Sequence, residues 1–319
     1  MTGPAGGLEE DPVSRDGRRL HSRLTGQGEA VVVLEAGLGA TRDSWAGLVP
    51  LLEPHARVLV YDRAGLGRSE PAQDDRRLPS LVADLHAVTA RVERPLVLVG
   101  HSWGGPIVRR FAEAHPRRVQ GLVLVDPSDE RCLAYFSRAN ALQTALAVPL
   151  MPLLARLGLI AAGVRPMTAG LPQEAAARLL DESSTVPAAR AAAAEMAASG
   201  PDLVELRDHP PQLPDVPVTW ISGVQASRLE RGLRDSLVAA HEASARAHGR
   251  GRHVRAERSG HLVPMTEPEL IAAEVRRILA DEHEAAAPGR GPGTRDATSA
   301  SPHLPPSPGS PRSAGTHLS

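Results

Sequence analysis

The stretch Val97-Leu98-Val99-Gly100-His101-Ser102-Trp103-Gly104-Gly105 decides how this 319-residue chain is read. A short apolar run of strand character enters a serine set between glycines, and a helix is predicted to follow over 106–114. Gly100-His101-Ser102-Trp103-Gly104 fits G-x-S-x-G. In that motif the serine sits on a strained turn with its hydroxyl exposed at the carboxyl end of a parallel strand. The glycines answer a steric need, because a side chain at either end would strike the neighbouring strand or helix. Five residues alone are a weak pattern; a strand before and a helix after are the context it requires.

Working outward, residues 17–25 alternate enough for an edge strand or hairpin arm, and 30–37 form a near-continuous apolar run ending at Gly37. A helix is expected over 44–52, a buried strand over 57–62 and a helix over 78–92 with Leu81, Leu85 and Val88 on one face. Another buried strand is read over 119–126. Strands alternating with helices call for an α/β fold, with a mostly parallel sheet of about eight strands covered on both faces. The alternation then stops. Residues 128–213 offer only Ala/Leu-rich helical segments (133–157, 173–181 and 188–198), which read as a helical cap inserted between two strands. The strand pattern resumes at 216–223, followed by a helix over 229–247, a short strand over 253–257 and a last helix over 268–279. The expected organisation is therefore a structureless segment over 1–14, a core over 15–127, the cap over 128–213, the rest of the core over 214–284, and a Pro/Ser/Gly-rich disordered tail over 285–319.

Composition excludes several classes. Thirty-six basic residues, all Arg, against 37 acidic ones leave a net charge of −1, so no nucleic acid or acidic membrane surface is expected as partner. Cys132 is the single cysteine, which rules out an intrachain disulfide and suggests a reducing, cytoplasmic setting. The first twenty residues carry acids and no apolar core, so they are not expected to act as a secretory signal. The most apolar stretch, 144–164, contains Pro149, Pro152 and Arg156, which argues against stable membrane insertion. The expected partner is a small-molecule substrate, and no feature of the chain specifies an oligomeric state.

A serine hydroxyl is a poor nucleophile until an adjacent base, itself held by a third group, activates it. Of thirteen histidines, His261 is the candidate base. It follows the last short strand, in a loop returning to the carboxyl edge of the sheet, with Gly260 allowing a tight bend. His101, inside the motif, is expected to pack or hydrogen-bond locally, and His209, His241, His248 and His253 read as ordinary cap or surface residues. The order serine, acid, histidine places the acid between Ser102 and His261. The commonest place for it, just after the strand ending at Gly223, offers only Val224-Gln225-Ala226-Ser227. Asp126, at the end of the strand after the motif's helix, is the candidate acid. Asp129 is a less rigid alternative, and Glu230 and Asp235, farther on, also stay open. Two backbone N–H groups complete the set as an oxyanion hole: that of Trp103, directly after the serine, and that of Leu38 in the glycine loop Glu35-Ala36-Gly37-Leu38-Gly39.

Taken in order, the glycine loop with Ser44-Trp45, the segment Tyr61-Asp62-Arg63-Ala64-Gly65-Leu66-Gly67-Arg68-Ser69, the Ser102 motif, Leu122-Val123-Leu124-Val125-Asp126-Pro127 and Gly260-His261 resemble the capped, single-domain members of the α/β-hydrolase superfamily. The likeness covers roughly 17–128 and 214–281. It implies Ser102 as nucleophile, His261 as base, Leu38 and Trp103 N–H as oxyanion donors, and Asp62–Ser69 as a structural turn in which Arg63 and Arg68 tie loops together. The departure is the missing carboxylate after Gly223, which makes the chain look like the branches that carry the acid where Asp126 stands. Ser102 argues against the dehalogenase and epoxide-hydrolase branches, whose nucleophile is an aspartate. The expected activity is that of a cofactor-free, metal-free serine hydrolase acting on an ester, thioester or amide of a small apolar substrate. C–C hydrolysis, a lyase step, perhydrolysis, or a binding or signalling role on the same scaffold are the alternatives.

Overall fold

β-branched and leucine runs too apolar to face water on either side become the centre of the sheet. In the computed structural model, which describes residues 9–10, 13–15, 17–72 and 74–286, the strands are β1 (Glu9–Glu10), β2 (Val13–Arg15), β3 (Arg18–Leu20), β4 (Ser22–Gly26), β5 (Val31–Glu35), β6 (Arg57–Tyr61), β7 (Leu96–His101), β8 (Val119–Val125), β9 (Val218–Gly223) and β10 (Gly251–Ala256). Eight of them form one sheet in the order β1-β4-β6-β5-β7-β8-β9-β10, and β2 pairs with β3 apart from it. Every pairing from β6 across to β10 is parallel, and only the β1–β4 and β4–β6 pairs at one edge are antiparallel. All residues of β5, β7 and β9 are buried, as a parallel sheet covered on both faces demands.

Alternation along the strands divides the core in two. Val31, Val33, Leu96, Leu98, Leu122 and Leu124 face one layer, with α2 (Leu78–Thr89) and α3 (Gly104–Ala114) supplying Leu81, Leu85, Ile107 and Phe111. The neighbouring residues Val32, Leu34, Val97, Val99, Val123 and Val125 face the other layer. There α1 (Val49–Leu52) and the C-terminal α10 (Pro268–Ala286) supply Leu52, Ile271, Val275 and Ile278. Between β8 and β9 lies a helical insert made of α4 (Arg138–Arg156), α5 (Ile160–Val164), α6 (Gln173–Ser183) and α7 (Val186–Asp208). The remaining helices are α8 (Arg231–Ala247), which precedes β10, and α9 (Val263–Thr266), close after His261.

Three local readings change. Two pieces of the N-terminal segment expected to lack structure, Glu9–Glu10 and Val13–Arg15, are strands, because β4 and β3 offer them antiparallel partners for their backbone groups. Residues 1–8 and, in the tail, 287–319 lie outside the described residues; positions 285–286 extend α10. The helix expected over 44–52 is a 3₁₀ turn, Arg42–Trp45, followed by α1, since Pro50 lacks an N–H and fits only in a first turn. Finally, α7 does not stop at Ala198 but runs through Gly200 and Pro201 to Asp208. An interior proline costs about 3 kcal/mol. It is tolerated here because Asp202, Leu203 and Leu206 are buried beyond it, and the Asp202 carboxylate accepts the Leu78 N–H (2.8 Å) and the Arg77 Nε–H (2.5 Å). Among the described residues no single helix is long and apolar enough to cross a membrane; α4 and the segment 160–168 pass only as a pair bent by 113°.

Candidate active site

Ser102 follows directly on β7, and its backbone is held in the left-handed region with φ 52°. Only Arg76, Ser102 and Asp126 among the described non-glycine residues have positive φ. Such strain persists only where surrounding contacts over-determine it, and it concentrates at functional positions. At Ser102 the contacts are its own N–H to the Val125 carbonyl (3.0 Å) and its carbonyl accepting from Gly105 (3.0 Å) and Ser128 (2.9 Å). Gly104 lets α3 start at once against β5: a Cβ there would lie 2.3 Å from the Glu35 carbonyl oxygen.

Asp126 ends β8 and is fully buried, with φ 42°. Its carboxylate accepts from three directions: the His261 Nδ1–H at 2.6 Å, the Gly223 N–H at 3.1 Å, and Arg234 Nη1 at 2.6 and 2.7 Å. Burial alone would raise its pKa. The His261 hydrogen bond and the charges of His261 and Arg234 outweigh burial and bring it down to about 2. An ionised Asp126 can only accept, so His261 carries its proton on Nδ1 and turns an unprotonated Nε2 outward when neutral. The other carboxylates are occupied elsewhere. Glu230 is exposed and accepts from the Ser227 hydroxyl (2.6 Å); Asp129 is buried and accepts from Ser244 Oγ (2.7 Å) and Arg131 N (2.9 Å); Asp235 is exposed on α8.

His101 does not bond locally. Its Nε2 lies 2.9 Å from the carbonyl oxygen of His261, 160 positions away in sequence, and because a carbonyl only accepts, that nitrogen carries the proton. Burial and the neighbouring His261 ring lower its pKa to about 3, so it is neutral and holds the backbone of the His261 loop in place. His241 likewise proves buried rather than superficial. It bonds Ser222 Oγ (2.7 Å) and the Pro127 carbonyl (2.8 Å) because its face of α8 packs on β9.

Opposite Ser102, the loop after β5 is fixed by one guanidinium. Arg63, 1% exposed, places all five of its N–H groups: Nε and Nη2 on Glu195 (2.8 Å each), Nη1 on Glu35 (2.7 Å) and the Ala36 carbonyl (2.8 Å), and Nη2 again on the Gly37 carbonyl (2.6 Å). In a trans peptide, C=O and N–H point in opposite directions, so a Gly37 carbonyl turned toward Arg63 turns the Leu38 N–H away from it. Gly37 itself abuts the serine, where an added Cβ would sit 3.3 Å from Ser102 Cβ. Trp103 stands at the N-cap of α3, where backbone N–H groups have no intrahelical acceptor. Ser102, His261, Leu38 and Trp103 line one cavity of about 570 Å³, roofed by α4 residues such as Ala141, Thr144 and Val148 and by α7 around Pro201.

Glu195, which completes the Arg63 cluster, belongs to α7 of the insert and also accepts from the Gly39 N–H (3.0 Å) and Arg76 (3.2 Å). In the sequence it sits in an alanine run and resembles any solvated helix residue, so no local signal marks it. Arg234 is equally invisible, one arginine among 36.

Comparison with known proteins agrees with this fold. A family model for the alpha/beta hydrolase fold matches residues 30–156. An AB hydrolase superfamily protein of Gibberella zeae is 31% identical over 295 residues, covering 79% of this chain and 86% of that protein. Among solved structures, a thermophilic esterase from Thermogutta terrifontis superposes with a TM-score of 0.66 at 23% identity, covering 87% of this chain and 100% of that one. The epoxide hydrolase CorEH gives 0.64 at 18% identity, with 86% and 99% covered; likenesses this distant speak for the fold alone. The chain belongs to the α/β-hydrolase superfamily.

Proposed function

We propose that this hydrolase cleaves an ester, thioester or amide bond of a small, largely apolar substrate through an acyl-enzyme on Ser102. The observation that carries the reading is the 2.6 Å bond between Asp126 and His261 Nδ1, on a histidine that shares its cavity with the strained Ser102. In this reading His261 Nε2 takes the Ser102 hydroxyl proton as Oγ attacks the substrate carbonyl. The negative charge moves to the carbonyl oxygen, where the Leu38 and Trp103 N–H groups receive it. His261 then passes its proton to the departing oxygen, sulfur or nitrogen, and water, deprotonated by the same nitrogen, releases the acid and restores Ser102. Asp126 keeps the imidazole in the required tautomer and balances its transient charge.

The helical insert acts as a cap, its mostly apolar inner faces excluding water from the cavity. A serine rather than an aspartate at position 102 separates this chemistry from epoxide opening by a carboxylate nucleophile. A panel of p-nitrophenyl esters tests the proposal. The wild type is expected to turn over at least one member, and Ser102→Ala to lower kcat by at least about a thousandfold. Turnover that survives in Ser102→Ala places the chemistry elsewhere.

A further inference from the structure

A second cavity of about 390 Å³ lies beside the first, and Leu38 lines both. The chain contains five methionines, Met1 and four others, and those four (Met151, Met167, Met196 and Met265) all line this second cavity. They come from α4, from the turn after α5, from α7 and from α9, so four separate segments converge on one space. Among the described residues its wall carries no charged side chain, and Ser44, one of its two serines, already spends its hydroxyl on the Thr41 carbonyl (2.8 Å). Methionine is unbranched, flexible and polarisable, which suits a wall that must adapt to apolar ligands of variable shape.

The two cavities lie end to end under the same helices. On α4, Ala141, Thr144 and Val148 face the first cavity, and Met151 and Leu154 face the second, at the three-to-four-residue spacing of one helical face. From Ala141 to Leu154 that face runs about 20 Å. On α7 the adjacent Met196 and Ala197 line the second and the first. His261, which must reach the leaving group, lines the first cavity and not the second. Ser102 also lines the first cavity and not the second, so the reacting carbonyl sits there. His261 lines in addition a further pocket with Gln225 and Gly260 that Leu38 does not reach. That gives the leaving group the His261 side, and the half retained on Ser102 the side past Leu38.

We infer that the methionine-lined cavity is an acyl-chain subsite, so the preferred substrates are esters of medium or long unbranched acids whose chain passes Leu38 and ends among the four methionines. The inference rests on the proposed role of Ser102, and the test separates the two. Gly163 on α5 lines the cavity, and a Cβ there would meet nothing within 4 Å, so Gly163→Phe adds bulk without a backbone clash. With p-nitrophenyl butyrate and decanoate, the wild type is expected to favour decanoate in kcat/KM. Gly163→Phe, with its melting temperature checked, is expected to lower the decanoate-to-butyrate ratio by about tenfold or more. A ratio that Gly163→Phe leaves unmoved overturns the subsite while leaving the Ser102 chemistry standing. A binding measurement free of catalysis runs alongside: fluorescence titration of cis-parinarate into Ser102→Ala, then into Ser102→Ala/Gly163→Phe. At least tenfold weaker binding in the double variant is expected. If no ester of any length is cleaved, the role of Ser102 falls, and the titration alone decides the cavity. Weakening by Gly163→Phe then keeps it as a chain site, and equal binding removes it.

Discussion

Replacing Arg63 by Met tests whether the loop that presents the Leu38 N–H is held by one buried cation. The substitution keeps most of the side-chain length and removes five hydrogen-bond donors. It strands Glu35, whose carboxylate keeps only the Tyr61 hydroxyl, and leaves Glu195 with Arg76 and the Gly39 N–H. Both glutamates are fully buried. Breaking a buried ion pair from one side costs about 3–5 kcal/mol, and the orphaned Ala36 carbonyl adds to it. These losses share partners and do not sum, so the expected destabilisation is about 4 kcal/mol, read from urea denaturation at neutral pH.

The pH dependence carries the sign. Burial raises the Glu35 pKa even in the wild type, despite Arg63 and Tyr61; at Glu195 burial also pushes upward, but Arg63, Arg76 and Gly39 prevail and lower it. Without Arg63, both carboxyls favour the protonated form in the folded state more strongly. The stability deficit of Arg63→Met is therefore largest near neutrality and shrinks as pH falls toward the ordinary carboxylate value of 4.5. The Glu195 contribution in the wild type, present above its unfolded pKa, fades as pH falls through its folded value, which narrows the gap further. Ester turnover should fall with the loop, because a displaced Gly37 carbonyl misdirects the Leu38 N–H. A loss below about 1 kcal/mol with turnover intact would refute the reasoning.

Other outcomes follow from the same geometry. Asp126→Asn should lower kcat by about ten-thousandfold by spoiling the His261 tautomer, whereas Glu230→Gln should change it less than about twofold, measured on the best ester. The Asp126 pKa of about 2 lies below the usual carboxylate value of 3.8, so its ionised form adds about 2 kcal/mol of stability that is present above pH 3.8 and lost as pH falls toward 2. The stability difference between wild type and Asp126→Asn in urea melts should narrow over that window, and a constant difference would contradict the pairing. Gly104→Ala forces a Cβ onto the Glu35 carbonyl and should cost about 1–3 kcal/mol together with activity, measured by thermal melting and ester turnover.

What the sequence discloses and what it hides divide along sequence distance. β5, β7 and β9 announce themselves because every residue in them is buried, so the runs are apolar almost without interruption. The Ser102 turn is legible because its constraints are local and steric. Asp126 stands out over Glu230 and Asp235 because it ends a strand beside β7, and the structure brings it, not the others, to His261. The partners that tune the site are not legible. Glu195 lies 132 positions from Arg63 and Arg234 lies 108 from Asp126, and a single charged residue on a helix looks the same whether it faces water or a buried counter-ion. The long-range bond of His101 is hidden for the same reason, its acceptor being a backbone carbonyl, which no side-chain pattern encodes. The passage of α7 through Pro201 is hidden because local propensity argues against it and tertiary burial overrides it.

Intact-mass analysis after reaction with a fluorophosphonate tests the central claim most directly. A nucleophilic Ser102 activated by His261 should give a single adduct, mapped to Ser102 by peptide sequencing, absent from Ser102→Ala and strongly slowed in His261→Ala. Folded wild-type protein that takes up no label, or takes it up on another residue, would contradict the account.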